Sequence, residues 1–318
     1  MAMDLSQVTL SQMRYAVAIA DTGSFRAAAE RSFVSQSGLS MQVQRLEELL
    51  GCVLFDRSRK PVLETEDGTN AIAQMRVILR EVERLGQVIA EDEEPSGRFR
   101  LGVIPTMSST VLPLFLRDFM EACPRVELSI EELKTDEIVA RLRADTLDAG
   151  LLATPLDEPG LREDPLGVER LYAYLPPGDA LLGSETITQD DLADHELWLM
   201  PEGHCFRTQV LAYCGAERAQ RPTRVHVESG SFETLMHLVD GGIGGTVLPE
   251  LVVLGLDPAR RAAQVRPFLS PGPAREIGLV SGREDLRRRV REALQAAIRA
   301  GLATVLKDSD GGVTLAPR

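Results

Sequence analysis

The chain has no run of 18 apolar residues anywhere in its 318 positions, so nothing in it predicts a membrane-spanning helix. Its first residues, MAMDLSQ, also lack the basic flank and the apolar core of a secretion signal. We therefore expect a cytoplasmic protein. The 44% hydrophobic and 26% charged residues are typical of a globular chain, and the length predicts about two domains.

Cysteine and histidine are scarce, with four of each and no Cys-x₂-Cys pair. This excludes a disulfide-rich scaffold and argues against a zinc site, so we expect no metal. Cys52 and Cys123 lie in apolar runs and are predicted to be small buried side chains. Three histidines are predicted to be structural or exposed: His195, His226 and His237.

A glycine cluster at 241–245 resembles a dinucleotide-binding loop at first sight. It follows a predicted helix and precedes a predicted strand, which is the wrong order for such a loop. We therefore interpret it as a helix-to-strand turn and expect no cofactor.

Positive charge is in short supply, because the net charge is −13. An acidic chain argues at first against nucleic acid as a partner. The charge is uneven, however, since residues 1–62 carry seven basic and six acidic side chains and the remainder carries the acidic excess. The N-terminal segment is therefore where a polyanion would be tolerated, while the acidic remainder should repel non-specific DNA.

Periodicity within that segment predicts helices over 8–21, 24–33 and 35–50. Apolar residues follow one side of the third helix: Leu39, Val43, Leu46 and Leu50. The opposite side carries small or hydrogen-bonding side chains suited to base edges and phosphates: Ser35, Gln36, Ser37, Ser40, Gln42 and Arg45. The alternative for that side is a helix cap followed by a solvated face.

A basic turn follows the third helix. Short apolar runs at 53–55 and 61–63 flank it, which predicts a hairpin that forms a wing beside a helix-turn-helix. Arg57, Arg59 and Lys60 at its tip are predicted to contact phosphate, the alternative being an ordinary solvated turn.

An acidic hinge containing proline and glycine divides the rest of the chain. We predict a winged helix-turn-helix domain over 1–64, a linker helix over 65–92, the hinge over 93–97, a regulatory domain over 98–304 and a loose tail over 305–318. Apolar spacing in the linker helix predicts either a dimerisation seam or packing against its own domain. Beyond the hinge, strands alternate with helices, which is typical of an α/β fold with mainly parallel sheets.

Two cysteines nine residues apart, Cys205 and Cys214, carry the most specific chemical signal. Cys205 lies between His204 and Arg207 at the start of a predicted helix. A helix N-terminus, an imidazole and a guanidinium would each favour the thiolate, which is the form that peroxide oxidises. In a regular helix the two Cα atoms would be about 13 Å apart, whereas a disulfide needs about 7 Å or less. A bridge would therefore require the segment to unravel, as in a redox switch.

Four segments, SFRAAAE (24–30), VSQSGLSMQVQRLE (34–47), LGCVLFDR (50–57) and GGIGGTVLP (241–249), closely resemble LysR-type transcriptional regulators. The resemblance implies a regulator, mainly an activator, that binds promoter DNA and works with RNA polymerase. It also implies a homotetramer that dimerises through the 65–90 helix and through the α/β domains. Each α/β domain would have two lobes and resemble the periplasmic binding proteins.

Within that family the chain is similar to the branch that senses hydrogen peroxide, on the segments IPT (104–106) and GHCFR (203–207) and on Thr135 ahead of a helix. The similarity implies that Cys205 is the peroxidatic cysteine and Cys214 the resolving one. A sulfenic acid at Cys205 would give way to a Cys205–Cys214 disulfide, which a reductant such as glutaredoxin or thioredoxin would reset. Four residues would line the peroxide pocket: Thr106, Thr135, His204 and Arg207.

One position departs from that branch, because Thr208 stands where well-known members carry an acidic residue. The departure puts the sensitivity to peroxide in question. Two alternatives remain open at this point. One is a LysR-type regulator that answers a small metabolite in the cleft between its lobes, with incidental thiols, and the other is a thiol peroxidase.

Overall fold

The computed structural model describes residues 5–89, 94–193, 195–215, 230–282, 287–306 and 312–317, with side chains over 5–82 in the first range. The chain forms two compact units, Met1–Asp92 and Glu93–Arg318. His226, predicted to be structural or exposed, lies outside the described residues. None of the helices within these ranges is long and apolar enough to cross a membrane.

The first unit is a helix-turn-helix with a hairpin. After a short 3-10 turn at Leu5–Gln7, its elements are α1 (Leu10–Thr22), α2 (Phe25–Arg31), α3 (Gln36–Leu50), β1 (Phe55–Asp56), β2 (Leu63–Glu64) and α4 (Glu66–Ile89). The side chains of Ser24 and Ser35 accept backbone N–H groups at the starts of α2 and α3. Gly51 ends α3 in the left-handed conformation, at φ 68°. Strands β1 and β2 pair antiparallel, which confirms the predicted wing hairpin.

The predicted apolar stripe of α3 forms the core of this unit. Leu39, Val43 and Leu46 are fully buried, and Ile72 and Met75 of α4 pack into the same cluster. The first half of α4 therefore packs against its own domain, as one of the two interpretations expected. Further along α4, Val77 is exposed. The dimerisation seam therefore stays a prediction for the second half of this helix.

The second unit alternates strands and helices. Its elements are β3 (Gly97–Val103), α5 (Pro105–Ala122), β4 (Val126–Glu132), α6 (Thr135–Arg143), β5 (Ala149–Thr154), β6 (Leu161–Tyr174), β7 (Leu197–Trp198), α7 (Cys205–Cys214), α8 (Phe232–Asp240), β8 (Gly245–Pro249), α9 (Glu250–Leu254), α10 (Pro258–Gln264), β9 (Val265–Pro267), β10 (Pro273–Gly282), α11 (Arg288–Val305) and β11 (Val313–Thr314), with a 3-10 turn at Ala180–Gly183. Helix α7 has the predicted bounds.

The sheet follows the order β4-β3-β5-β10-β6-β8-β7, with β9 on β6 and β11 on β10. Strand β3 pairs parallel with β4 and β5, and β7 pairs parallel with β8. The long strands β6 and β10 pair antiparallel with each other, β10 with β5, and β6 with β8 and β9. The expectation of mainly parallel sheets is therefore wrong, because β6 and β10 run antiparallel to each other through the middle of the sheet and also pair antiparallel with β5, β8 and β9.

Two apolar clusters define two lobes within this unit. One surrounds Phe99 and Leu151, and the other surrounds Tyr174 and Trp198. Strand β6 contributes Leu161 to the first cluster and Leu171 to the second, so it is continuous from lobe to lobe.

The C-terminal segment over 312–317 is ordered rather than loose, which corrects the prediction for that part of the tail. Val313 and Thr314 pair with β10, and Leu315 is buried in the second apolar cluster. The side chain of Gln209 on α7 donates a hydrogen bond of 2.7 Å to the Leu315 carbonyl oxygen. The apolar residues of this segment, Val313, Leu315 and Ala316, form too short a pattern to predict this docking.

Candidate functional site

Cys205 is the first residue of α7, and its side chain is 7% exposed. Burial raises the pKa of the Cys205 thiol above its ordinary value. The Thr135 hydroxyl, the Arg275 guanidinium and the backbone N–H groups of Phe206 and Cys205 act in the opposite direction but do not outweigh burial. The prediction that the surroundings favour the thiolate is therefore wrong in its net direction, since desolvation of the sulfur dominates.

Three helix N-termini supply the residues around this sulfur. Thr106 is the second residue of α5, Thr135 the first of α6, and Cys205 the first of α7. All three are buried, and the N-terminus of a helix carries partial positive charge that stabilises an anion. Apart from its interaction with the Cys205 sulfur, the Thr135 hydroxyl oxygen has no hydrogen-bond partner among the described residues. It is thus available to a group that enters beside the sulfur.

Arg275 of β10 is the cation that acts on Cys205, and sequence reasoning missed it. The side chain is fully buried, and its Nη1 and Nη2 atoms donate to the Thr106 hydroxyl and carbonyl oxygens, both at 3.0 Å. The guanidinium carbon lies 5.2 Å from the centroid of the Phe206 ring. Arg275 just ahead of the apolar run at 277–280 of a strand was the available signal, because a buried arginine in a strand needs specific partners.

His204 and Arg207 are the two predicted pocket residues that lie close to Cys205 in the sequence. Burial lowers the pKa of the His204 imidazole, and the nearby Lys134 lowers it further, so the ring favours its neutral form. The Arg207 Nη1 atom donates a hydrogen bond of 3.2 Å to the carbonyl oxygen of Met200. Neither side chain is among the groups that shift the Cys205 pKa. The Arg207 side chain is directed back toward the loop that precedes α7.

Cys214 lies at the opposite end of α7 and is 6% exposed. It belongs to the second apolar cluster, whereas Cys205 belongs to the first. All four cysteines are thiols, and nine residues of helix separate these two by about 13 Å along the axis. Two edge-to-face ring contacts stabilise α7 as a helix, Phe206 with Phe232 and Tyr213 with Phe268, each with ring centroids 5.1 Å apart.

The other candidates are structural. Cys123 is buried as predicted, whereas Cys52 is only half-buried. His195 pairs with Asp179 at 3.1 Å, and His237 is exposed. The glycine cluster at 241–245 joins α8 to β8, which confirms the helix-to-strand turn. Among the described residues there is no group of acidic, histidine and cysteine side chains that could hold a metal ion.

The exposed face of α3 presents polar side chains to solvent. Gln36, Ser37 and Arg45 are exposed, while Ser40 is half-buried. Four members of the predicted set also have structural partners. Ser35 caps the helix and contacts the Ser37 hydroxyl at 3.4 Å, Gln42 accepts a hydrogen bond of 3.1 Å from buried Gln12, and Arg45 pairs with Glu48 at 3.2 Å.

At the wing, Arg57 pairs with Glu47 at 2.7 Å and lies over the Phe25 ring, so it also supports the domain. Arg59 pairs with Asp56 at 3.3 Å, and Lys60 is exposed. The turn before α3 adds Phe33, which is 96% exposed at a positive φ of 55°.

Comparisons with known proteins cover both units. A bacterial regulatory helix-turn-helix model of the lysR family matches residues 10–69, and a LysR substrate binding domain model matches residues 92–303. The chain is 33% identical to the DNA-binding transcriptional dual regulator OxyR of Escherichia coli K12, over 92% of this chain and 95% of that protein. It is 34% identical to a probable hydrogen peroxide-inducible genes activator of Mycobacterium avium, over 88% and 91%.

Solved structures agree with these matches. A full-length OxyR mutant from Pseudomonas aeruginosa superposes with a TM-score of 0.79 at 33% identity, over 92% of this chain and 98% of that one. A hydrogen-peroxide-bound OxyR mutant from Corynebacterium glutamicum gives 0.58 at 26% identity, over 96% and 98%. The chain therefore belongs to the LysR family of bacterial DNA-binding transcriptional regulators, within which it is similar to the OxyR proteins.

Proposed function

We propose that this regulator senses hydrogen peroxide through Cys205 and acts mainly as an activator of the genes that answer oxidative stress. The observation that carries the proposal is the buried placement of Cys205 where three helix N-termini and Arg275 meet, with a second cysteine at the far end of the same helix. The relatives named for peroxide-inducible activation support the same proposal.

The first chemical step would be attack of the Cys205 thiolate on one oxygen of hydrogen peroxide. The O–O bond breaks, the sulfur becomes a sulfenic acid, and the second oxygen leaves as hydroxide that takes a proton to become water. Arg275 and the hydroxyls of Thr106 and Thr135 are the groups in place to stabilise the leaving oxygen. His204 and Arg207 remain proposed as residues at the edge of the pocket rather than against the sulfur.

The second step would be attack of the Cys214 thiolate on the Cys205 sulfenic acid, which forms the disulfide and releases hydroxide that takes a proton to become water. Because α7 separates the two cysteines, the helix has to unravel first. The new disulfide would stabilise a different packing around 197–215 and thereby change how the helix-turn-helix units meet promoter DNA. A homotetramer, RNA polymerase as partner, a thiol reductant and a cytoplasmic location remain predictions.

A peptide map before and after one equivalent of peroxide tests this proposal. The unmodified chain should yield a Cys205–Cys214 bridged peptide, and Cys214→Ser should stop at a sulfenic acid on Cys205. Cys205→Ser should abolish the response, whereas Cys123→Ser is the matched control that should leave it unchanged. Oxidation at Cys52 or Cys123 without the bridge would contradict the assignment.

A regulator that answers a small metabolite is the second candidate, because the regulatory domain matches a family model described as substrate binding. It predicts indifference of the transcriptional response to Cys205→Ser and a thermal stability that shifts with ligand. The thiol peroxidase alternative has no support, since the chain belongs to a family of transcription regulators.

A further inference from the structure

Glu169 is a buried carboxylate that the steps above do not use. It lies on β6, is fully buried, and its Oε1 atom pairs with Arg275 Nε at 2.7 Å. Its Oε2 atom accepts a hydrogen bond of 3.1 Å from the backbone N–H of Leu251 in α9. Both carboxylate oxygens are therefore held, one by the cation and one by a helix backbone.

The sheet itself sets this pair. Glu169 and Arg275 are directly opposite each other in the antiparallel register of β6 and β10. Anchoring Nε fixes the plane of the guanidinium, so its two remaining nitrogens point together at the oxygens of Thr106. The orientation of the cation beside Cys205 thus depends on a carboxylate on the neighbouring strand.

Charge balance is the second consequence of this pairing. With the Cys205 thiol protonated, Arg275 and Glu169 neutralise each other inside a site closed to water. Ionisation of the thiol leaves a net negative charge there, which a low dielectric makes unfavourable. Among the described residues, the charged and titratable groups at this site are Arg275 and Glu169, with His204 and Lys134 next to the first residues of α7 and α6. Half-buried Glu250, whose carboxylate accepts the Arg170 N–H, is the next carboxylate to Glu169.

We propose that Glu169 is a positioning residue, which aims the Arg275 guanidinium at the peroxide pocket and offsets its charge, and so sets how readily Cys205 reacts. This inference rests on the proposed function and adds a determinant of sensitivity to it. Two substitutions separate the two effects. Glu169→Gln keeps the length and removes the charge, while Glu169→Asp keeps the charge and shortens the reach.

The experiment measures two reactions of Cys205 across pH in the full-length chain carrying Cys214→Ser. The rate of alkylation by iodoacetamide depends on the population of the thiolate alone. The rate of oxidation by hydrogen peroxide depends on the thiolate and also on a group that stabilises the leaving oxygen. For Glu169→Gln we expect the midpoint of the alkylation profile to move down by about one pH unit or more, because the cation is no longer offset. For Glu169→Asp we expect the high-pH rate with peroxide to fall roughly tenfold while the alkylation rate holds, because a displaced guanidinium no longer meets the leaving oxygen.

Asp164→Asn is the matched control, since Asp164 forms a buried pair with Arg291 at 2.8 Å in the same unit. It should lower the melting temperature without moving either profile. An unchanged alkylation midpoint in Glu169→Gln, together with an unchanged ratio of peroxide to alkylation rates in Glu169→Asp, would overturn the proposal. Where the Gln variant does not fold, the ratio in the Asp variant decides alone. Failure of the unmodified chain to react with peroxide would instead contradict the proposed function, and the alkylation profile would still test the charge effect of Glu169.

Discussion

At the Cys205 sulfur, burial and the neighbouring donors act on the pKa in opposite directions, and burial prevails. A raised pKa means that the thiolate is the minor form at neutral pH. The rate of oxidation by peroxide should therefore rise with pH, about tenfold per unit, and level off only above the raised pKa. Stopped-flow kinetics over pH 6 to about 10 would check this, with Cys205→Ser as the blank. A flat profile through neutral pH would contradict the predominance of burial.

Thr106 should support the oxidation of Cys205 through Arg275, because the Thr106 hydroxyl oxygen accepts a hydrogen bond from Arg275 Nη1. Thr106→Val leaves that buried donor unpaired, an effect of about 1–3 kcal/mol. We expect peroxide oxidation of Cys205 to slow by about one to two orders of magnitude, measured by trapping the sulfenic acid over time. Thr106→Ser retains the hydroxyl and is the control. Equal rates in both variants would place the peroxide elsewhere.

Helix α7 is the element whose unravelling would limit disulfide formation. Ala212 is an exposed residue inside it, so Ala212→Gly should weaken the helix by about 1 kcal/mol without removing a packing contact. The form with α7 unravelled would then be about fivefold more populated, and the Cys205–Cys214 disulfide should form faster by the same factor. Ala296→Gly on the exposed face of α11 is the matched control. If both variants form the bridge at the unmodified rate, opening of α7 is not the slow step.

At the scale of the whole molecule, an acidic chain of net charge −13 has to approach a polyanion through its N-terminal unit. Lys60→Ala at the wing should weaken binding to all DNA sequences alike and reduce the salt slope by about one. Arg117→Ala removes the same charge from the regulatory unit, where Arg117 pairs only with Glu121 in the described contacts, and should leave the slope unchanged. A change of sequence preference in Lys60→Ala would contradict a purely phosphate contact.

The exposed face of α3, which is predicted to face the bases, should behave differently from the wing. Gln36 is exposed at the start of α3, so Gln36→Ala should relax sequence preference while leaving the salt slope intact.

Footprints of the reduced and oxidised protein should show different protected segments at similar overall affinity. Identical footprints would favour the metabolite-responsive alternative.

The sequence by itself determined the local elements and the fold family. Helical periodicity with Ser24, Ser35 and Gly51 at the ends of helices determined the helix-turn-helix, because caps and apolar stripes are local properties of the chain. The motif around Cys205 also located the start of α7.

Only the tertiary structure decided which groups surround the reactive sulfur. Arg275 reaches Thr106 across 169 residues of chain, and Glu169 meets Arg275 through the register of two antiparallel strands. Neighbours in sequence such as Arg207 suggested the wrong cation, since the direction of a side chain on the first turn of α7 depends on packing. The sign of the Cys205 pKa shift was likewise decided by burial, which is the sum of contacts from distant segments and has no local signature.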